Sequence, residues 1–172
     1  LLADPTRNRQ LIAEAVAVAR QADLIVLAIG DTEQTTREGY SLKHLGDRSS
    51  LELVGEQDEL ATALFALGKP VVVVLINGRP LSVVNVAARA NALVEAWYPG
   101  QEGGTALAGM LFGEVNPGGK LPVTIPRSVG QLPMSYDGLP TSRPPGEDRY
   151  TSRYIDEATT PLYPFGHGLS YA

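Results

Sequence analysis

The chain contains no cysteine and only two histidines among its 172 residues. The lack of cysteine excludes disulfides, thiolate metal sites and a cysteine nucleophile. The histidines, His44 and His167, are far apart in the sequence and lack the neighbouring ligand types that a zinc site requires. We therefore expect no bound metal.

Long apolar runs and runs of one charge are also missing. No window approaches the roughly 18 to 20 consecutive apolar residues of a membrane span, and the N-terminus lacks the layout of a signal peptide. The net charge of -5 comes without a basic stripe, so nothing matches the electrostatic footprint of a nucleic-acid or anionic-membrane binder. We expect neither as a partner, and composition leaves the cellular compartment open.

Apolar patterning is plentiful, because 44% of the residues are hydrophobic. Apolar runs predict strands at residues 24–29, 71–76, 92–97 and 120–125. Helical periodicity and start and stop signals predict helices at residues 9–22, 56–67, 83–90 and from about residue 99 to 112. Pro5 and Thr6 are suited to the start of the first of these helices. This alternation predicts an α/β fold with a doubly wound, mostly parallel sheet flanked by helices, a flavodoxin-like sandwich.

The first three predicted strands should be neighbours in that sheet. The first run is apolar on both faces, which is typical of a strand that is covered on each side. Right-handed crossovers then bring Gly30, Asn77 and Tyr98 into loops at the same end of the sheet. Trp97, at the end of the third run, is predicted to lie in the core.

The composition changes at residue 126. The tail is dense in Pro, Gly, Ser and Tyr, has little periodicity, and ends with the aromatic residues Tyr163, Phe165 and Tyr171. Aromatic rings favour an ordered segment, since they can pack while their polar ends find partners. We predict an α/β domain over residues 1–125 and an irregular extension over residues 126–172 that packs on the same domain.

An acidic segment follows the first predicted strand. Residues 30–40 read Gly-Asp-Thr-Glu-Gln-Thr-Thr-Arg-Glu-Gly-Tyr and place three carboxylates in one loop. Open α/β sheets carry their chemistry at this position, although an acidic loop is also typical of a solvated turn. Downstream, Asp47 and Arg48 are predicted to form an ion pair or to anchor the loop to the sheet.

Two other catalytic patterns are missing. Gly103 and Gly104 lie near a predicted helix start but match neither the dinucleotide nor the Walker pattern, so no nucleotide cofactor is predicted. No Gly-x-Ser-x-Gly elbow is present, which excludes the α/β-hydrolase mechanism. We expect no cofactor of any kind.

Several segments together resemble one enzyme family. They are residues 30–40, Asp-Arg-Ser-Ser-Leu-Glu-Leu at 47–53, Trp-Tyr-Pro-Gly-Gln-Glu-Gly-Gly at 97–104, Asn-Pro-Gly-Gly-Lys-Leu-Pro at 116–122 and Phe-Gly-His-Gly-Leu-Ser-Tyr at 165–171. In order and spacing they resemble the second domain of family 3 glycoside hydrolases over nearly the whole chain. The resemblance implies the acid/base domain of a retaining, exo-acting β-glycosidase, similar to β-glucosidases, that releases terminal non-reducing β-linked sugars.

The resemblance also implies roles for residues of the acidic loop. Glu38 matches the general acid/base, and Glu33 is its competitor within the loop. A general acid needs a raised pKa, and Arg37 would lower it if both side chains faced the same way. Tyr40 either stacks on a sugar or packs on the domain. Arg37 and His44 are further candidates for substrate contacts, with a solvated position as the alternative for His44, and His167 is predicted to be structural.

The resemblance implies that the second catalytic carboxyl group comes from another domain. Family members pair this domain with an N-terminal barrel domain that supplies the aspartate nucleophile, whereas Glu38 provides only one of the two carboxyl groups. The family resemblance also implies further strands before Leu1, hence an exposed sheet edge, an oligosaccharide or β-glucoside substrate of unspecified sugar, and a periplasmic or secreted location. The alternative is a non-catalytic α/β module that binds sugar or pairs with another domain; only the enzyme requires Glu38 in a cleft at the open end of the sheet.

Overall fold

The computed structural model describes residues 4–36, 47–138, 146 and 150–171 of the chain. The chain divides into two compact units, Leu1–Gly103 and Gly104–Ala172. The predicted organisation into residues 1–125 and 126–172 stays a prediction.

The first unit contains a parallel sheet, as the alternation of helices and strands predicts. Its strands are β1 (Ile25–Gly30), β2 (Val71–Ile76) and β3 (Ala92–Glu95), in the spatial order β1-β2-β3. Gly30 pairs with Ile76, and Leu75 pairs with Glu95, so the carboxyl ends of the strands meet at one edge. The predicted neighbours and their parallel direction are confirmed.

Helices flank this sheet and connect its strands. They are α1 (Pro5–Ala19), α2 (Glu33–Thr36), α3 (Gln57–Phe65) and α4 (Val84–Arg89). α3 packs against α1, α4 and β1. The core between them consists of fully buried aliphatic side chains, among them Ala61, Val71, Val73, Leu81 and Val86. Burial of such side chains is the main stabilising contribution to a unit of this kind.

α1 begins at Pro5, at the predicted start signal and four residues before the apolar repeat. The Asp4 side chain accepts a hydrogen bond of 2.9 Å from the backbone N–H of Thr6, and Pro5 occupies the first turn. A capping carboxylate satisfies a backbone donor that has no partner inside the helix, and proline lacks such a donor. The start is therefore set by local capping chemistry, and the apolar repeat that marks the middle of the helix begins later.

β1 lies at one edge of the sheet that the described residues form. Alternate side chains of β1 are buried and exposed, and Val26 is 50% exposed, although the sequence predicts a strand covered on both faces. At the end of this strand the Gln57 side chain replaces a neighbouring strand: its amide accepts from Gly30 N–H and donates to Gly30 C=O, both at 2.8 Å. The edge is thus closed at Gly30 by a side chain.

The second unit contains most of α5 (Gly103–Leu111) and a short 3-10 helix, Val129–Gln131. The tail is ordered by backbone bonds from Leu121 N–H to His167 C=O and by stacking of Tyr163 on His167, whose ring centroids are 4.9 Å apart. The Tyr171 hydroxyl donates to Met110 C=O at 2.8 Å. These contacts join the described parts of the tail and agree with a structural role for His167.

The strand predicted at residues 120–125 is wrong. Only Ile125 forms a ladder contact there, an isolated antiparallel bridge to Tyr163. The backbone of this segment instead bonds to residues 162–167 of the tail at Leu121 and Ile125, and among the described residues no strand lies beside it to extend a ladder. Within the described part of the chain, no helix is long and apolar enough to cross a membrane.

Candidate active site

The carboxyl edge of the sheet brings together polar groups from all three strands. Asp31 follows β1, Asn77 follows β2, and Glu95 is the last residue of β3. The backbone N–H of Asp31 donates to Ile76 C=O at 2.9 Å, which carries the ladder one residue beyond the strand. In parallel sheets, ligands bind outside this edge. The edge is therefore the candidate site.

Asp31 forms a buried ion pair with Arg48. Its side chain is 0% exposed and that of Arg48 is 16% exposed, with 2.9 Å between Asp31 Oδ2 and Arg48 Nη1. Arg48 also donates to Glu52 C=O, and Arg79 Nη2 donates to Ser50 C=O at 2.6 Å. Two guanidinium groups thus hold residues 48–52 against the sheet edge, which confirms the predicted anchoring role of Arg48.

The charges around Asp31 have opposing effects on its proton affinity. Burial raises the pKa of the Asp31 carboxyl above its ordinary value and outweighs the lowering by the positive charges of Arg48 and Arg79. A buried carboxylate that keeps its charge needs these partners. Removal of one of them leaves a charge without compensation in the interior.

Loss of Arg48 should therefore cost substantial stability. We expect Arg48→Met to lower the free energy of unfolding by about 3 kcal/mol, at the low end for a broken buried pair because Arg79 still compensates part of the charge. The matched control is Arg9→Met, which breaks the exposed pair of Arg9 with Glu59 and should change stability by less than about 1 kcal/mol. Urea unfolding followed by Trp97 fluorescence measures both; equal losses in the two variants would contradict the anchoring role.

The predicted site residues belong to segment 37–46, which lies in the sequence between Thr36 and Arg48, two residues that contact the carboxyl edge of the sheet. Arg37, Glu38, Tyr40 and His44 lie outside the described residues, so their roles stay predictions. On one side of the segment, the Thr36 hydroxyl lies 3.1 Å from the Tyr98 hydroxyl. On the other side, Arg48 pairs with Asp31. The chain enters and leaves this ten-residue segment at the carboxyl edge of the sheet.

A cleft adjoins the residues that lead into this segment. It has a volume of about 750 Å³ and lies beside α1, the end of β1 and the start of α3, with Gly30, Thr32, Gln34 and Thr35 among its lining residues. Glu33, the competing carboxylate, is exposed in the first turn of α2. The start of the acidic loop thus borders an open cleft beside α1 and α3.

The end of β3 differs from its prediction. The strand stops at Glu95, and Trp97 is half-buried with a φ of 51°, in the left-handed region that side-chain-bearing residues rarely adopt. The Glu95 carboxylate accepts the Trp97 N–H at 3.1 Å and stabilises this turn. The prediction that Trp97 ends the strand inside the core is therefore wrong, because a side-chain bond redirects the backbone.

Glu95 is the second residue at the carboxyl edge of the sheet whose carboxyl pKa is raised. Burial raises its pKa above 4.5, against the lowering effect of hydrogen bonds from the Trp97 N–H and the Asn77 amide, which lies 3.4 Å away. Folded Glu95 therefore holds its proton to higher pH than unfolded Glu95 does. Its contribution to stability is fully present below the unfolded pKa and is lost as pH rises through the folded pKa.

Replacement of Glu95 should remove this pH dependence. We expect Glu95→Gln, which keeps an acceptor for Trp97 N–H, to flatten the fall in unfolding free energy that the parent shows as pH rises above about 4, where an unfolded glutamate begins to lose its proton. Asp31 leaves a residual slope of the same sign. Urea unfolding over this pH range tests the expectation, with Glu14→Gln on the exposed side of α1 as control. A parent-like slope in the Glu95 variant would contradict it.

Some residues of this edge were not assigned roles from the sequence. Asp31 and Arg48 are 17 positions apart, and Thr36 and Tyr98 are 62 apart, so no local pattern pairs them. The sequence signal that indicates this site is Asp31, an aspartate placed directly after a buried strand. Among the described residues, no group of three or more histidine, aspartate or glutamate side chains could hold a metal ion.

Comparison with known protein families identifies the class of protein to which this chain belongs. Residues 2–171 match the model of the glycosyl hydrolase family 3 C-terminal domain. The chain belongs to glycosyl hydrolase family 3 and corresponds to its C-terminal domain.

Individual relatives are consistent with this assignment. The chain is 48% identical over 171 residues to a periplasmic beta-glucosidase of Salmonella typhimurium, covering 98% of this chain and 22% of that protein. It is 46% identical over 158 residues to a beta-xylosidase of Formosa agariphila, covering 92% of this chain and 20% of that protein. The chain thus spans about a fifth of the length of these relatives.

Solved structures show the same fold. A β-glucosidase from Erythrobacter marinus superposes with a TM-score of 0.89 at 56% identity, covering 99% of this chain and 22% of that one. A beta-glucosidase from Listeria innocua in complex with glucose superposes with a TM-score of 0.83 at 39% identity, covering 93% of this chain and 22% of that one. The α/β fold predicted from the sequence is confirmed.

Proposed function

We propose that this chain is the acid/base-bearing domain of a retaining, exo-acting β-glycosidase that is similar to β-glucosidases and releases terminal sugars from non-reducing ends. Glu38 is the general acid/base. The observation that carries the proposal is the anchoring, at the carboxyl edge of the sheet, of the residues on both sides of segment 37–46, through Thr36 with Tyr98 and Arg48 with Asp31.

The length of the chain between Thr36 and Glu38 limits where the acid can act. Two residues of extended backbone reach at most about 7 Å. Thr36 lies at the sheet edge, next to cleft-lining Thr35. A carboxyl group attached two residues later is therefore within reach of a substrate bound outside that edge, which supports Glu38 over a carboxylate on the opposite face.

The reaction proceeds in two steps, and Glu38 serves both. In the first step, an aspartate of an N-terminal barrel domain attacks the anomeric carbon while Glu38 gives its proton to the departing oxygen. In the second step, Glu38 takes a proton from water, which attacks the glycosyl-enzyme ester. Retention requires the two carboxyl groups to lie about 5 to 5.5 Å apart. Both steps need a dry, positioned carboxyl group whose proton moves to or from the substrate side.

The residues around Glu38 complete the proposed substrate contacts. Tyr40 stacks on a pyranose face, and Arg37 and His44 bind hydroxyl groups of the oligosaccharide or β-glucoside. The names of the relatives, periplasmic beta-glucosidase and beta-xylosidase, support this substrate class and a periplasmic or secreted location. Glucose and xylose are both compatible with this domain, since the barrel supplies most sugar contacts in the family.

The stereochemistry of the product tests the proposed mechanism. Two successive displacements at one carbon restore its configuration, so proton NMR during the first turnovers should show the β-anomer of the released sugar before mutarotation. The full-length enzyme with an aryl β-glycoside is the system to use. First appearance of the α-anomer would mean a single displacement and would contradict the assignment of Glu38 as an acid that later acts as base.

The alternative function is a non-catalytic module that binds sugar or pairs with another domain. The contact of Thr36 with Tyr98 at the carboxyl edge favours the enzyme, because a binding module has no need of a loop with a carboxylate at the open end of the sheet. Substitution of Glu38 separates the two: a binding module keeps its ligand affinity and has no activity to lose.

A further inference from the structure

Tyr98 connects the turn after β3 with the start of the acidic loop. Its hydroxyl oxygen lies 3.1 Å from Thr36 Oγ1, across 62 positions of sequence. Thr36 is the last residue of α2 and the last described residue before Arg37. The contact therefore joins two loops that leave different strands of the sheet.

The ring of Tyr98 is held close to the turn after β2. A Cβ atom added to Gly78 would lie 2.6 Å from Tyr98 Cε2 and 2.9 Å from the hydroxyl oxygen. Contacts this short do not occur between real side chains, so the ring occupies space that only glycine leaves open. The Tyr98 ring is thus packed over the backbone of Gly78, although it is partly exposed.

The backbone on both sides of this packing is fixed by polar contacts. Trp97 adopts its left-handed conformation with its N–H bonded to the Glu95 carboxylate at 3.1 Å. The Asn77 amide donates to Arg79 C=O at 2.8 Å and lies 3.4 Å from Glu95 Oε2. These contacts hold the backbone that carries Tyr98, and the Tyr98 side chain, which is 47% exposed, is held by its packing on Gly78 and its contact with Thr36.

We propose that Tyr98 is a positioning residue for the acid/base: through Thr36 it fixes the start of the loop that carries Glu38. This inference rests on the proposed function of Glu38. Proton transfer depends steeply on geometry, because small displacements of a catalytic group cost large factors in rate. Tyr98 acts on the proton-transfer step through Thr36 and makes no contact with the sugar.

The test uses the full-length enzyme with Tyr98→Phe and Thr36→Val, which each remove one hydroxyl of the pair. Both should lower kcat/KM about tenfold for alkyl β-glucosides, whose leaving groups need a proton, and less than about twofold for dinitrophenyl β-glucoside. The control is Tyr154→Phe, which removes a hydroxyl bonded to Gly130 C=O at 3.1 Å and should behave like the parent.

A double variant distinguishes the possible results. If Tyr98 acts through Glu38, then adding Tyr98→Phe to Glu38→Gln produces no further loss. A further loss in that background, or a change confined to KM, would show that Tyr98 contacts the substrate and would overturn the inference. If Glu38→Gln shows leaving-group dependence and Tyr98→Phe does not, the inference fails and the proposed function stands. If Glu38→Gln itself shows none, the proposed function fails.

Discussion

The Glu38→Gln enzyme should lose about 10² to 10⁴-fold in kcat/KM on substrates with poor leaving groups, the range typical of lost general acid catalysis. Glutamine matches glutamate in size but has no proton to donate at neutral pH. The leaving groups of activated aryl glycosides depart without protonation, so the glycosylation step with these substrates should be far less affected. Steady-state kinetics on a series of aryl and alkyl β-glucosides of increasing leaving-group pKa measures this dependence.

The matched control lies in the same loop region. Glu33 is exposed in the first turn of α2. Glu33→Gln should show no leaving-group dependence, because we assign this residue only a positioning or solvated role. The opposite pattern, with the dependence in the Glu33 variant and parent behaviour in the Glu38 variant, would move the acid/base to Glu33. The family assignment would be unaffected.

The 172-residue chain by itself should have no appreciable glycosidase activity. Without an aspartate nucleophile no glycosyl-enzyme intermediate can form, and Glu38 alone supplies one of the two carboxyl groups. The measurement is release of nitrophenol from an aryl β-glucoside by the purified chain, compared with the full-length enzyme at equal molarity. Robust turnover by the chain would mean that a second carboxylate of this domain acts as nucleophile.

The sheet could be predicted because its strands are marked by uninterrupted aliphatic runs. The run at residues 71–76 coincides with β2, since Pro70 and Asn77 bound it on both sides. The segment at residues 120–125 only alternates apolar residues with lysine, proline and threonine, and within it only Ile125 pairs, with Tyr163. Whether an apolar segment becomes a strand depends on a partner strand, and that partner is set by tertiary contacts beyond the segment itself.

The chemistry of the site edge was only partly predictable. An Asp directly after a buried strand is visible in the sequence, and Arg48 was expected to be an anchor. Its partner, however, is Asp31 and depends on the return of the chain to the sheet. The left-handed turn of Trp97 is set by the Glu95 carboxylate two residues earlier, a bond that no propensity scale anticipates. Both features arise from burial of charge at the edge.

The most direct test of the central claim is the product that Glu38→Gln forms from an activated aryl β-glucoside in the presence of azide. Azide attacks the glycosyl-enzyme intermediate without needing a base, so it bypasses the second role of Glu38. We expect azide to speed turnover by the Glu38→Gln enzyme and to yield the β-glycosyl azide, and we expect neither effect in the Glu33→Gln enzyme. The opposite result, in which only Glu33→Gln is rescued by azide and forms the glycosyl azide, would contradict the assignment of Glu38 as the acid/base.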